Sequence, residues 1–177
     1  MKKVCLIAPS QLTVPSVLGG AIENLVTLLA RANEEEKKLD LTIISPYNNK
    51  AEIESKNYKN TKFLYIKKNV FYYLLAIFYK ALNIICKTNY NAYNHLCLNK
   101  IKNKKFDFVV AEGGTYDCYL EFLKYFSKDQ LILHLHHQWH ATPNIDKTFS
   151  KLIGVSKFVV EDFKTSSAIK EYAVVKN

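Results

Sequence analysis

The chain has 177 residues, 49% of them hydrophobic and 13% aromatic, enough for one well-buried domain and too little for two. Sparse Gly and Pro, with no repeat or low-complexity tract, exclude fibrous, repeat and disordered classes. Its 25 Lys and Arg outweigh 16 Asp and Glu to give +9, a surplus that suits nucleic acid, an anionic membrane face or phosphorylated small molecules, or that serves solubility alone.

Lys2 and Lys3 precede an apolar run, residues 4–8, which ends at Pro9 and Ser10. That run is shorter than the apolar core of a signal peptide, so it reads as a first strand. A loop holding Pro9, Ser10 and Pro15 ends in Gly19-Gly20, and a helix is predicted over residues 20–32. The charged run 34–38 reads as a solvated helix end and loop. Strands are predicted at 41–45, 63–66, 108–111, 131–135, 152–155 and 172–175, and helices at 70–86, 90–103, 116–125 and 157–165. Val- and Ile-rich runs alternating with helical patterns specify an α/β fold, a Rossmann-like mostly parallel sheet with helices on both faces.

Within 70–86, Phe71, Leu74, Leu75, Phe78, Leu82 and Ile85 recur at helical spacing, and this face is expected to pack on the sheet. The other face carries Tyr72, Tyr73, Ile77 and Tyr79, with Lys67, Lys68, Lys80 and Lys87 nearby, a composition suited to a membrane surface. Seventeen residues interrupted by Lys80 and Asn83 make a poor membrane span. Cys5, Cys86, Cys97 and Cys118 form no C-x-x-C pair and read as reduced core thiols of a cytoplasmic protein.

Three stretches carry candidate chemistry. A strand, a loop ending in Gly19-Gly20 and a helix start make an anion-binding corner, because the first helical N–H groups lack intrahelical partners. Neither G-x-G-x-x-G nor a P-loop is present, and a tight turn with Glu23 near the positive helix end explains the same residues. His134, His136, His137 and His140 cluster where an apolar strand yields to a loop, the end of the strand at which parallel sheets bind ligands. H-E-x-x-H is absent and no carboxylate stands inside the cluster, so no metal site is predicted. Glu112-Gly113-Gly114 ends another strand, where glycines permit close backbone approach or a plain turn. Lys and Arg are dispersed and no nucleic-acid-binding signature occurs, so nucleic acid is not an expected partner.

Taken together, these positions resemble the N-terminal half of a GT-B glycosyltransferase of family 4. The G-G-x-E of that family matches Gly19-Gly20-Ala21-Ile22-Glu23, with one extra residue before the glutamate. Its strand ending in H-x-H matches Leu133-His134-Leu135-His136, and its V-S-plus-aromatic strand matches Ile153-Gly154-Val155-Ser156-Lys157-Phe158. Its V-x-N-G-[IV]-D signal matches Val174-Val175-Lys176-Asn177 up to the Asn. The match covers essentially the whole chain, through the order and spacing of its motifs.

The resemblance implies that residues 1–177 form a single acceptor-side domain, with the donor-binding domain absent from this chain. It implies retaining transfer of a sugar from a nucleotide-sugar donor, held mainly by the other domain, to a polysaccharide, lipopolysaccharide or lipid-linked acceptor. His136, and next by register His137, take the catalytic position. Gly19, Gly20, Glu23, Glu112 and Gly113 line the donor diphosphate or acceptor. No cofactor or metal is implied, and the chain alone is expected to be inactive. The expected location is cytoplasmic, peripheral at the inner face of an anionic membrane. The alternative is a stand-alone, non-catalytic Rossmann-like domain that binds a ligand or partner.

Overall fold

A computed structural model describes residues 1–175. In chain order these form β1 (Lys2–Ile7), α1 (Ala21–Glu36), β2 (Leu39–Pro46), α2 (Asn49–Ser55), β3 (Thr61–Ile66), α3 (Val70–Cys86), α4 (Ala92–Ile101), β4 (Phe108–Ala111), β5 (Leu131–Leu135), α5 (Pro143–Thr148), β6 (Lys151–Gly154), α6 (Lys157–Lys164) and β7 (Glu171–Val174). Two 3-10 helices, Tyr116–Lys124 and Lys128–Gln130, lie between β4 and β5. Asn177 of the domain-entry signal lies outside the described residues.

The seven strands are all parallel, in the order β3-β2-β1-β4-β5-β6-β7. The chain starts in mid-sheet, steps outward to β3, then crosses back to β4 and steps outward the other way. The reversal lies between β1 and β4, and sheets of this kind open a ligand crevice at the carboxyl ends of such a strand pair. Leu41, Ile43 and Ile44 of β2 are all fully buried, as strands covered on both faces require. On one face α1 sets Val26 and Ala30 against Leu6, Leu41, Ile43 and Val110. On the other, Tyr93, Cys97 and Ile101 of α4 join Tyr119, Phe122, Phe149 and Phe163 over Cys5, Ile7 and Ile44. The Rossmann-like α/β expectation is therefore met.

Two short helices were not predicted. Asn48 starts α2 by accepting from the amides of Lys50 and Ala51, and Thr142 caps α5 with Pro143 at its first position. The predicted helix at 116–125 is a 3-10 helix. Cys86 is exposed at the end of α3, so only Cys5, Cys97 and Cys118 are core thiols.

The expected orientation of α3 is inverted. Its buried residue is Tyr79, stacked on Tyr90 at 5.3 Å and edge-on to His95 at 5.5 Å, and Tyr72 packs against the core. Phe71, Leu74, Phe78 and Ile85 point outward. The sheet face is already occupied by α4, so α3 forms an outer layer and touches the domain along a narrow stripe. Asn83 fastens that stripe, donating to the Tyr90 carbonyl and accepting from the Tyr90 amide, both at 2.8 Å.

Candidate functional site

The carboxyl ends of β1, β4 and β5 bring the three singled-out stretches together. After β1, the loop to α1 is pinned by side chains from neighbouring strands. The Val14 amide donates to Ser45 Oγ at 3.1 Å and Tyr65 OH donates to the Val14 carbonyl at 3.2 Å. The Ser16 amide donates to Thr27 Oγ1 at 2.9 Å, and Ser16 Oγ to the Gly19 carbonyl at 2.8 Å. The loop thus returns on a fixed path to the start of α1. Gly19 and Gly20 take φ of +83° and +101°, which L side chains rarely adopt.

The two glycines do different things. Gly19 faces open space, whereas a side chain at Gly20 would collide with the Glu23 carboxylate and Leu12. Glu23 is buried and folds back over the first turn of α1, where no side chain caps the amides. It is thus an internal anion beside the positive helix end. Gly113 closes the gap between strands: a Cβ there would stand 3.1 Å from Ile22 Cδ1 and 3.2 Å from Pro9 Cγ. A side chain at position 113 would crowd the approach of this loop to the start of α1 and strain the backbone at φ +141°.

Glu112 turns away from this corner toward the histidines. It is 3% exposed, and its Oε2 lies 2.8 Å from His134 Nδ1 and 3.1 Å from His136 Nε2. The register explains the meeting. Ala111 pairs with Leu133, so the next residues, Glu112 and His134, are neighbours, and His136 follows on the same face of the chain. Burial pushes the Glu112 carboxyl up, but hydrogen bonds from His134 and His136 outweigh it and hold the group below the ordinary carboxylate range. As a carboxylate it accepts one N–H from each ring. His134 meets it through Nδ1 and His136 through Nε2, so Nδ1 is the ring nitrogen of His136 that the carboxylate leaves unengaged.

Tyr116 braces the same corner. Burial, followed by the nearby Glu112 carboxylate, raises its phenol, so it stays protonated and donates to the His134 carbonyl at 3.0 Å. Its ring meets Trp139 edge-on at 5.3 Å. His137 is exposed, with its ring 5.7 Å from Trp139, and His140 is exposed as well. Gly19, Gly20 and Glu23 thus form one corner, Gly113 packs against the start of α1 beside it, and the adjacent Glu112 joins His134 and His136 while His137 stays outside its reach. His134, not singled out as a functional position, is the closest partner of Glu112.

His134 Nε2 is buried with no hydrogen-bond partner among the described residues. It lines a cavity of about 430 Å³ whose walls are otherwise mainly apolar, including Leu6, Leu25, Val110 and Ile153. The donor atoms of Glu112, His134 and His136 lie within 4.8 Å of one another, a donor set that matches the three protein ligands of an open zinc site. In the arrangement seen, imidazole N–H groups bond the carboxylate where a cation would otherwise sit.

No protein-family model, curated protein or solved structure matches the chain. Among the described residues no helix is long and apolar enough to cross a membrane.

Proposed function

We propose that the chain is the acceptor-side lobe of a retaining glycosyltransferase, acting with a donor-binding lobe that holds most of a nucleotide sugar. The acceptor classes are polysaccharide, lipopolysaccharide or lipid-linked glycan, met at the inner face of a membrane. One observation carries the reading. Gly113 packs against Ile22 and Pro9 beside the start of α1, and the adjacent Glu112 joins His136, at the strand-order reversal. The match of Gly19-Gly20 and His134-x-His136 to the order of the family's motifs adds to it.

In this reading, negative charge grows on the departing phosphate as its bond to the sugar carbon breaks. The amides at Gly19, Gly20 and the first turn of α1 are oriented donors for that charge. Glu23 must move aside for a phosphate placed over Gly20, while the open side of Gly19 needs no rearrangement. His136 offers Nδ1 to a sugar hydroxyl, with Glu112 holding its ring in place. Glu112, buried between two imidazoles, is a positioning residue here, and does not itself meet a diphosphate.

The test is sugar transfer by this lobe joined to its donor-binding lobe. His136→Ala should lower kcat about 100-fold in protein that circular dichroism shows to be folded, although loss of its hydrogen bond to Glu112 also lowers the melting temperature. Unchanged kcat removes His136 from the site. The 177-residue chain by itself should show no transfer, and measurable turnover by it would contradict the division of labour.

The second reading is a binding domain without catalysis. The mainly apolar cavity that His134 and Glu112 help to line favours it. The same assay separates the two, because a binding domain loses no transfer rate when His136 is replaced.

A further inference from the structure

The outward face of α3 has no partner in the fold. Phe71, Leu74, Ile77, Phe78, Ile84 and Ile85 are each between 58 and 80% exposed. At 100° per residue these side chains fall on one side of the helix, with Val70 and Tyr73 completing the stripe and Lys80 on its edge. The stripe runs the length of a 17-residue helix, roughly 25 Å. Isolated exposed apolar residues are ordinary, but a continuous stripe of this size marks an interaction surface.

Charge identifies what covers it. Residues 55–106 hold eleven lysines and no Asp or Glu, whereas the other 125 residues carry 14 basic and 16 acidic side chains. The positive excess of the chain thus falls in the stretch of sequence that contains α3, with Lys67 and Lys68 before the helix, Lys80 within it and Lys87 after it. A second copy docked face to face would bring the lysines that flank α3 toward the same positive charge on its partner. An anionic bilayer meets both needs: its acyl boundary takes the apolar stripe, and its headgroups take the flanking lysines.

We infer that α3 is a membrane-docking helix that lies in the plane of an anionic lipid surface with Phe71, Leu74, Ile77, Phe78 and Ile85 buried among the lipids. Lys68 Nζ donates to the Ser10 carbonyl at 2.7 Å, so the start of α3 is tied to the loop that shapes the glycine corner. Docking therefore holds the Ser10 part of that loop close to the lipid surface. The docking stands on exposure and charge. Only its use, to meet a lipid-borne acceptor, rests on the sugar-transfer reading.

Flotation with vesicles tests the docking without any sugar donor. The chain should float with equimolar phosphatidylcholine and phosphatidylglycerol, and not with phosphatidylcholine alone. The double variant Leu74→Glu and Ile77→Glu should lose binding about tenfold or more, while Leu28→Glu on the exposed side of α1 should retain it; both should keep the wild-type circular dichroism. Absence of binding to the anionic vesicles overturns the inference. So does equal binding by the double variant, or a dimer in solution that the double variant abolishes. Failure here leaves the transfer assay on His136 unaffected, and failure of that assay leaves the docking unaffected.

Discussion

Glu112 and His134 lie 22 residues apart in the chain and share a 2.8 Å hydrogen bond inside the protein. The contact follows from the β4–β5 register, and it draws His136 to the same carboxylate oxygen at 3.1 Å. A carboxylate buried to this extent is stable only because two ring N–H groups replace its water.

Removing the carboxylate strands both rings, so Glu112→Ala should cost about 2–3 kcal/mol at neutral pH. Because the folded carboxyl sits below its ordinary value, its contribution is complete above the unfolded value of about 4.5. It is lost as pH falls through the lower folded value. Urea denaturation of wild type and Glu112→Gln should therefore show a stability gap at pH 7 that narrows in strong acid. A gap of constant size across that window would mean the carboxylate is not the group that matters.

The glycine corner should rank its own substitutions. Alanine at Gly19 meets only backbone strain at φ +83°, about 1–2 kcal/mol. Gly20→Ala adds a collision with Glu23 and Leu12, and Gly113→Ala pushes on Ile22 and Pro9. Both should lower the melting temperature further than Gly19→Ala, measured by calorimetry. Equal losses at all three positions would argue against a tightly closed corner.

Adjacent residues of α3 should behave oppositely. Tyr79→Ala removes the ring stacked on Tyr90 and should cost about 3 kcal/mol. Phe78→Ala trims an exposed ring and should change stability by no more than about 0.5 kcal/mol. Chemical denaturation of the two variants reads the orientation of the helix directly, and the reverse ranking would restore the face that periodicity suggests.

Much of the fold was legible because the strands are short Val- and Ile-rich runs between helical patterns, and all seven fall within two residues of their predicted ends. The α3 face was misread for a physical reason. Periodicity shows which side chains share a face, not which face is covered, and Tyr79 with Asn83 outcompeted the aliphatic stripe for contact with α4. The short helices α2 and α5 carry too few apolar residues for periodicity, although Asn48 and the Thr142-Pro143 pair were readable as starts. At the candidate site, glycines and histidines stood out by composition and position. The Glu112–His134 bond depended on strand register, which pattern alone does not supply until β4 and β5 are set side by side.

The central claim is that the start of α1 and the Glu112–His136 pair form one anion-facing rim. Inorganic pyrophosphate titrated into the ¹⁵N-labelled chain tests it by amide chemical shifts. Shifts concentrated at Gly19, Gly20, Gly113 and the residues around His136, weakened by Gly113→Ala, are the predicted result. Shifts confined to the lysine-rich surface around α3, with the glycine amides unmoved, would contradict it.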